Sequence, residues 1–195
     1  MKLIFATNNQ NKIAEIKTAL TQGLEIVTLK EAGIDIEIAE PFDTLEENAR
    51  EKATVIFNIT KQNCFSEDTG LEVKALNGAP GVKSARYAGD EADNKKNIAL
   101  LLTNMEGKKE RNAHFKTVIC LLLQNEEYLF TGICKGKINL EEMGSMGFGY
   151  DAIFTPDGAD KTFAEMTMDE KNKYSHRKKA LVQLITFLNP HNEQS

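Results

Sequence analysis

One stretch near the start of the chain decides the fold: Leu3-Ile4-Phe5-Ala6-Thr7-Asn8-Asn9-Gln10-Asn11-Lys12. Its apolar first part predicts a buried strand over Lys2–Ala6, and the spacing of Ile13, Ile16 and Leu20 predicts a helix from about Asn11 to Leu20. Amides, a hydroxyl and a cation collect where the strand turns into the helix, and donors at such a turn suit phosphate. A strand, a turn and a helix in this order are typical of α/β proteins.

The rest of the chain continues to mix helices and strands. Thr44 and Glu47 form a capping-box pattern before a helix that runs to about Ile59, and Thr167 with Glu170 repeats the pattern. The other predicted elements are short strands at Cys64–Glu67 and Leu71–Val73 on either side of Asp68-Thr69-Gly70, a loop at Asn77–Gly81, a helix over about Ala92–Met105, a hairpin of His114–Leu123 and Tyr128–Ile138, and a closing helix before Pro190. The sequence therefore predicts one α/β domain over residues 1–195, with a mixed sheet flanked by helices.

Composition limits the classes of function. The chain has 195 residues and a net charge of −5, with its lysines scattered among acids, so no surface for nucleic acid is expected. Cys64, Cys120 and Cys134 are odd in number and have no C-x-x-C spacing, which argues against a disulfide framework and favours a cytoplasmic location. The apolar run at the N-terminus is too short for a signal segment or a membrane span, so no membrane partner is expected.

Cations are available to bind phosphate. Lys12 at the first helix, Lys52 on the second and Arg86 after the glycine-rich loop are the candidates to hold phosphate oxygens. Taken alone, each lysine is more often a solvated surface charge.

Carboxylates suit magnesium, which binds their oxygens while it keeps several waters. The acidic candidates are Glu37, Glu40, Glu47, Glu67 and Asp68. Asp68 stands out because it follows a predicted strand, where α/β sheets place catalytic groups, and Thr69 beside it adds a hydroxyl. A turn in which Asp68 caps its own backbone explains that residue equally well, and the capping box already explains Glu47.

A second cluster suits a planar heterocycle. Gly147-Phe148-Gly149-Tyr150-Asp151 combines a flexible aromatic loop with polar groups, and Ser175-His176-Arg177 follows about two dozen residues later. A nucleobase pocket together with a phosphate turn implies a nucleotide, although Phe148 alone could also be a core aromatic. The chain has neither G-x-x-x-x-G-K-[ST] nor G-x-G-x-x-G, which disfavours P-loop and dinucleotide-binding proteins.

Six motifs occur in order along nearly the whole chain. They are Thr7-x-Asn9-x-x-Lys12, Glu47-Asn48-Ala49-x-x-Lys52-Ala53, Glu67-Asp68-Thr69-Gly70-Leu71, Gly78-Ala79-Pro80-Gly81-Val82-x-Ser84-Ala85-Arg86-Tyr87, Gly147-Phe148-Gly149-Tyr150-Asp151 and Lys171-Asn172-x-x-Ser175-His176-Arg177. In this order they resemble the Ham1-like inosine triphosphate pyrophosphatases, also called XTP/dITP diphosphohydrolases. The resemblance implies an elongated two-lobed fold with the active site in the cleft, a homodimer, and Mg²⁺-dependent cleavage of non-canonical purine nucleoside triphosphates (ITP, dITP, XTP) to monophosphate and pyrophosphate, which cleanses the nucleotide pool.

The resemblance also implies a role for each site residue. Phosphates would be contacted by Thr7, Asn8, Asn9, Gln10, Asn11, Lys12, Lys52 and Arg86, magnesium would be held by Glu40 and Asp68, Asp68 would accept the proton with Thr69 beside it, and the nucleoside would be held by Phe148, Gly149, Tyr150, Asp151, Lys171, His176 and Arg177. The chain departs from the family at Glu67 and Thr69, where Asp and Ser are frequent, at Ala152, where Pro is usual, and at Glu142-Met143, where Pro-Arg is often found.

Two alternatives to this reaction stay open. One is a pyrophosphatase for pyrimidine or modified nucleoside triphosphates, which the purine-like motifs disfavour. The other is a nucleotide sensor without activity, against which Glu40, Asp68 and the lysines argue, because a sensor needs no base. In the enzyme, donors facing the O6 acceptor of inosine or xanthosine would reject adenine, which presents an amino donor there.

Overall fold

The computed structural model describes residues 1–19 and 24–192. The strands are β1 (Lys2–Phe5), β2 (Glu25–Thr28), β3 (Cys64–Val73), β4 (Pro80–Gly81), β5 (Asn112–Leu123), β6 (Glu126–Ile138) and β7 (Phe154–Pro156). The helices are α1 (Gln10–Ala19), α2 (Leu45–Thr60), α3 (Asn94–Asn104), α4 (Met168–Asn172) and α5 (His176–Asn192), and short 3₁₀ turns lie at Lys74–Leu76, Ser84–Arg86, Asp151–Ile153 and Phe163–Glu165. The predicted end of the first helix at Leu20 falls outside the described residues.

The strands are hydrogen-bonded in the order β2-β1-β3-β5-β6-β7, with β4 paired to β3. β1 runs parallel to β2 and β3, whereas β4 is antiparallel to β3 and β7 is antiparallel to β6. The predicted mixed sheet with flanking helices is therefore confirmed. In the part of the chain that the structure describes, no helix is both long and apolar enough to cross a membrane.

Contacts divide the chain into two compact units. Unit 1 comprises Met1–Asp68, Thr117–Gly132 and Arg177–Ser195, and unit 2 comprises Thr69–Lys116 and Ile133–His176. The prediction of a single domain over residues 1–195 stays a prediction.

Each unit has its own apolar core. In unit 1, β1, α1, β3 and α5 meet in a cluster in which the rings of Phe5 and Phe65 stack with centroids 4.5 Å apart. In unit 2, Phe115 packs edge-on against Phe154 at 4.7 Å, beside the buried Phe163. Burial of aromatic rings in this way is the main stabilising contribution to a small core.

Local signals in the sequence predict most element ends correctly. Thr44 accepts a hydrogen bond from the Glu47 backbone N–H at the start of α2, and Thr167 forms a complete capping box with Glu170 at the start of α4. The predicted hairpin is present, and its two central residues, Gln124 and Asn125, have φ of 52° and 70°, as a two-residue hairpin turn requires.

One local prediction is wrong: Asp68-Thr69-Gly70 is not a turn between two short strands. The segment lies inside the continuous ten-residue strand β3. Long-range pairing explains the difference, since β3 pairs with β1 near Cys64 and with β4 near Leu71. A Cβ atom at position 70 would lie 2.5 Å from the carbonyl oxygen of Gly81. Glycine is therefore needed here because the two backbones approach closely, and not because the chain turns.

Candidate functional site

The turn from β1 into α1 presents polar groups to solvent, as predicted. The Asn9 side-chain oxygen accepts from the backbone N–H of Asn11 at 3.0 Å and of Lys12 at 3.1 Å, and Thr7 Oγ1 accepts from the Asn9 N–H at 3.2 Å. Asn8 donates its amide to the Ile36 carbonyl at 2.8 Å. Asn8, Asn9, Gln10 and Asn11 are all exposed at the start of a helix, where the macrodipole favours an anion.

Glu40, Lys52 and Asp68 meet in what we call the acid–lysine cluster. Lys52 Nζ on α2 lies 2.9 Å from Asp68 Oδ1 on β3 and also binds Glu40 Oε1. The side chains of Lys52 and Asp68 are 7% and 8% exposed, whereas that of Glu40 is 30% exposed. Burial opposes the charged ammonium, but attraction to Asp68 and Glu40 outweighs it and raises the pKa of Lys52. Burial also raises the pKa of Asp68, against the attraction of Lys52.

A second buried ion network lies beside Asp68, on the neighbouring residue of β3. Glu67 accepts from Arg177 Nε at 2.9 Å and Nη2 at 2.9 Å, and Arg177 Nη1 also binds Glu15 on α1. Lys12 Nζ is 3.3 Å from Glu67. Burial alone would favour the neutral acid, but Arg177 and Lys12 lower the pKa of Glu67 to about 2. Successive residues of a strand face opposite ways, which lets Glu67 and Asp68 reach different cations.

Unit 2 contains a third group, the Lys171 cluster, formed by Phe148, Asp151, Phe163 and Lys171. Lys171 Nζ lies 2.6 Å from Asp151 Oδ2, and its charge lies over the rings of Phe148 and Phe163 at 5.4 and 5.2 Å from their centroids. Asp151 Oδ2 also accepts the Phe148 N–H at 2.9 Å, which fixes the aromatic loop. Phe148 itself is half-buried.

Two further aromatic contacts position predicted nucleoside residues. The imidazole of His176 is buried and stacks on Phe115, with centroids 4.7 Å apart and planes 14° from parallel. Tyr150 donates its hydroxyl to the Ser84 carbonyl at 2.8 Å, which anchors the aromatic loop, and burial raises the pKa of Tyr150.

The structure thus brings several of the predicted residues into contact. Of the acidic candidates, Glu40 and Asp68 share Lys52, Glu67 pairs with Arg177, and Glu47 binds Thr44, the N-cap of α2. Arg177 lies in unit 1 on Glu67 and Glu15, and its predicted role at the nucleoside stays a prediction. Thr69 lies in β3, Arg86 is exposed at the end of a 3₁₀ turn, and Gly149 has open space around it at a φ of 61°.

Sequence reasoning missed several supporting residues. Glu15 lies three positions after Lys12 on α1, a spacing that places both on one helix face and could have revealed it. No sequence signal distinguishes Phe115, which supports His176. Ser84 stands within a quoted motif, but nothing in that motif indicates that its carbonyl accepts from Tyr150.

The acid–lysine cluster also fits a hard cation by its donor set. Within residues 1–19 and 24–192, no group of three or more His, Cys, Asp or Glu side chains is placed to hold a metal ion. Magnesium, however, uses one or two carboxylates and keeps waters on its other positions. Glu40 and Asp68 already converge on one positive charge, that of Lys52.

Comparison with known proteins identifies the relatives of the chain. A family model described as the Ham1 family matches residues 3–187. The dITP/XTP pyrophosphatase of Flavobacterium psychrophilum is 48% identical over 187 residues, which cover 96% of this chain and 98% of that protein. That of Christiangramia forsetii is 48% identical over 188 residues, covering 96% and 99%. The solved Ham1 protein of Staphylococcus aureus has a TM-score of 0.89 and 35% identity, covering 98% of this chain and all of that one.

Proposed function

The chain belongs to the Ham1 family, and from this premise we propose that it is a Mg²⁺-dependent pyrophosphatase that converts ITP, dITP and XTP to the monophosphate and pyrophosphate. The observation that carries the proposal is the acid–lysine cluster. It combines two carboxylates with a buried ammonium, which are the groups that cleavage of a phosphoanhydride needs. The names of the relatives supply the substrate class.

Magnesium would be held by Glu40 and Asp68, where it would neutralise charge on the phosphate oxygens. The residues of the chain carry the rest of the reaction. Asp68 accepts a proton from a water molecule whose oxygen attacks the α-phosphorus, and the bond from that phosphorus to the bridging oxygen breaks so that pyrophosphate leaves. Lys52 and Lys12 offset the charge on the departing pyrophosphate.

The turn of residues 7–12 binds the remaining phosphate oxygens through its exposed donors and the start of α1. Arg86 is exposed and adds a further cation for phosphate. Thr69 contributes its hydroxyl next to Asp68.

Recognition of the base is assigned to unit 2. Lys171 and His176 donate to the O6 oxygen of hypoxanthine or xanthine, and Phe148 stacks on the base. The Asp151 carboxylate holds Lys171 and the Phe148 backbone in place for this role. Adenine presents an amino donor where these donors point, and a mismatch of this kind discriminates by about 10⁴-fold.

We also propose a cytoplasmic location and a homodimer. The three cysteines are buried free thiols, which supports a cytoplasmic location, and family resemblance supports a homodimer. Size-exclusion chromatography with light scattering tests the dimer.

The experiment that tests the function is release of pyrophosphate and of orthophosphate from ITP, dITP, XTP, GTP and ATP, with Mg²⁺ and with a chelator. Pyrophosphate from the inosine and xanthosine nucleotides, only with Mg²⁺, is expected. Orthophosphate would indicate a phosphatase, and tight binding without release would indicate a sensor. Equal pyrophosphate release from pyrimidine triphosphates would contradict the substrate class.

A further inference from the structure

The segment that carries Glu40 lies outside the regular elements. Residues 34–43 form neither helix nor strand, and Phe42 leaves 40% of its surface exposed. Burial of that side chain therefore does not fix the segment. Yet Glu40 must be held in one place if its carboxylate is to share a cation with Asp68.

Asn48 on α2 binds the backbone of this segment. Its side-chain oxygen accepts the Phe42 N–H at 2.9 Å, and its side-chain nitrogen donates to the Phe42 carbonyl at 3.0 Å. The Asn48 amide thus binds both the N–H and the C=O of Phe42, which are the two backbone groups that a neighbouring β-strand would bind. The Asn48 side chain is itself buried, with 1% of the residue exposed, so these bonds are shielded from water. At the other end of the segment, Asn8 binds the Ile36 carbonyl.

We infer that Asn48 is a positioning residue that sets the place of the Glu40 carboxylate through the backbone of Phe42. The inference rests on the proposed function, in which Glu40 binds the metal. Glu40 is two residues from Phe42, so the chain can shift it only a few ångströms while Phe42 is held. Asn48 and Lys52 lie one helical turn apart on α2, so a single rigid element holds both the ammonium and the segment whose carboxylate meets it.

The test measures Mn²⁺ binding directly, by the electron paramagnetic resonance signal of the free ion, with α,β-methylene-ITP bound to the protein. Asn48→Ala is expected to weaken Mn²⁺ binding by about 10- to 100-fold, the usual effect of removing a group that orients a metal ligand. In a Glu40→Gln background the same substitution is expected to change it by less than about 3-fold, because the carboxylate it would position is gone.

Asn97 is the matched control. It is also a buried amide on a helix, and it binds the Ala88 N–H at 2.7 Å and the Ala85 carbonyl at 2.8 Å in unit 2. Asn97→Ala removes a similar pair of hydrogen bonds, beside Arg86 and not beside a metal ligand. It is expected to leave Mn²⁺ affinity unchanged when α,β-methylene-ITP is saturating. If Asn48→Ala fails to fold, Asn48→Asp keeps the volume and the acceptor but loses the donor to Phe42, and the same loss of affinity is expected.

Two outcomes overturn the inference. They are an unchanged Mn²⁺ affinity in the Asn48 variants, or a loss that persists undiminished in the Glu40→Gln background. In either case a wild-type protein that still releases pyrophosphate from ITP leaves the proposed function intact. A wild-type protein that neither binds Mn²⁺ nor releases pyrophosphate overturns both.

Discussion

Asp68 and Lys52 form a buried ion pair of 2.9 Å although 16 residues separate them in the chain. The pair joins β3 to α2, and Glu40 completes it from a segment without regular structure. This arrangement buries the Asp68 carboxylate next to the Lys52 ammonium. Electrostatic interactions between buried groups are stronger than those in water.

Asp68→Asn should lower kcat by about 10²- to 10⁴-fold, since it removes the proposed proton acceptor and keeps the shape of the side chain. Binding of α,β-methylene-ITP, measured by calorimetry, should persist because Lys12, Lys52 and the base-recognising residues remain. Turnover at the wild-type rate would remove Asp68 from its role.

Arg177→Gln should reduce the free energy of unfolding by about 3–5 kcal/mol, because it removes the buried guanidinium that binds both Glu67 and Glu15 and leaves Lys12 alone to offset the charge of Glu67. Urea denaturation measures the loss. The control is Arg50→Gln, which breaks an ion pair with Glu127 whose side chains are 45% and 37% exposed. That exposed pair should be worth less than about 1 kcal/mol, so equal effects of the two variants would disprove a buried network.

Gly147→Ala should raise the KM for ITP, since a methyl group at position 147 would lie 2.1 Å from Asp151 Oδ2 and displace the carboxylate that holds Lys171 and Phe148. Gly158→Ala is the control for backbone strain. Gly158 has a φ of 85°, similar to the 76° of Gly147, but an added methyl group meets nothing within 4 Å. Backbone strain alone should cost both variants about 1–2 kcal/mol of stability. A normal KM for the Gly147 variant would show that the Asp151 carboxylate does not position the base-recognising residues.

Alkaline pH should weaken the fold through two buried thiols. Burial raises the pKa of Cys64 and Cys120 to about 12. The unfolded chain loses these protons from about pH 8.5, so above that pH the folded state holds more protons than the unfolded one. The contribution to stability is therefore complete below about pH 8.5 and is lost as pH rises toward 12.

Urea denaturation at a series of pH values from 7 to about 10 measures this loss. The Cys64→Ala/Cys120→Ala double variant supplies the control, since its free energy of unfolding should fall less steeply with pH than that of the wild type. Identical slopes would contradict the assignment to the thiols.

The features predicted correctly from the sequence are those with local causes. The N-cap at Thr44 and the capping box at Thr167 need only neighbouring residues, and so does the tight turn after β5. The mixed α/β sheet follows from the order of such elements. The misassigned turn at Asp68 shows the limit, because pairing of β3 with β1 and β4 overrides turn-forming residue types there.

Partners of side chains could not be predicted in the same way. Arg177 and Glu67 are 110 residues apart, and no periodicity or spacing indicates that they meet. Arg177 and Glu67 each stand in a quoted motif, but only the packing of the folded chain brings Arg177 into buried ion pairs with Glu67 and Glu15. Asn48 was visible within a motif, yet its bonds to Phe42 depend on how the preceding segment returns to α2.

The most direct test of attack on the α-phosphorus is hydrolysis of ITP in water labelled with ¹⁸O. The products are separated and their isotopic content is measured by mass spectrometry. Attack of water on the α-phosphorus predicts one ¹⁸O atom in the inosine monophosphate and unlabelled pyrophosphate. Label in pyrophosphate, or labelled orthophosphate with inosine diphosphate, would contradict the account, because the attacked phosphorus would then be the β or the γ atom.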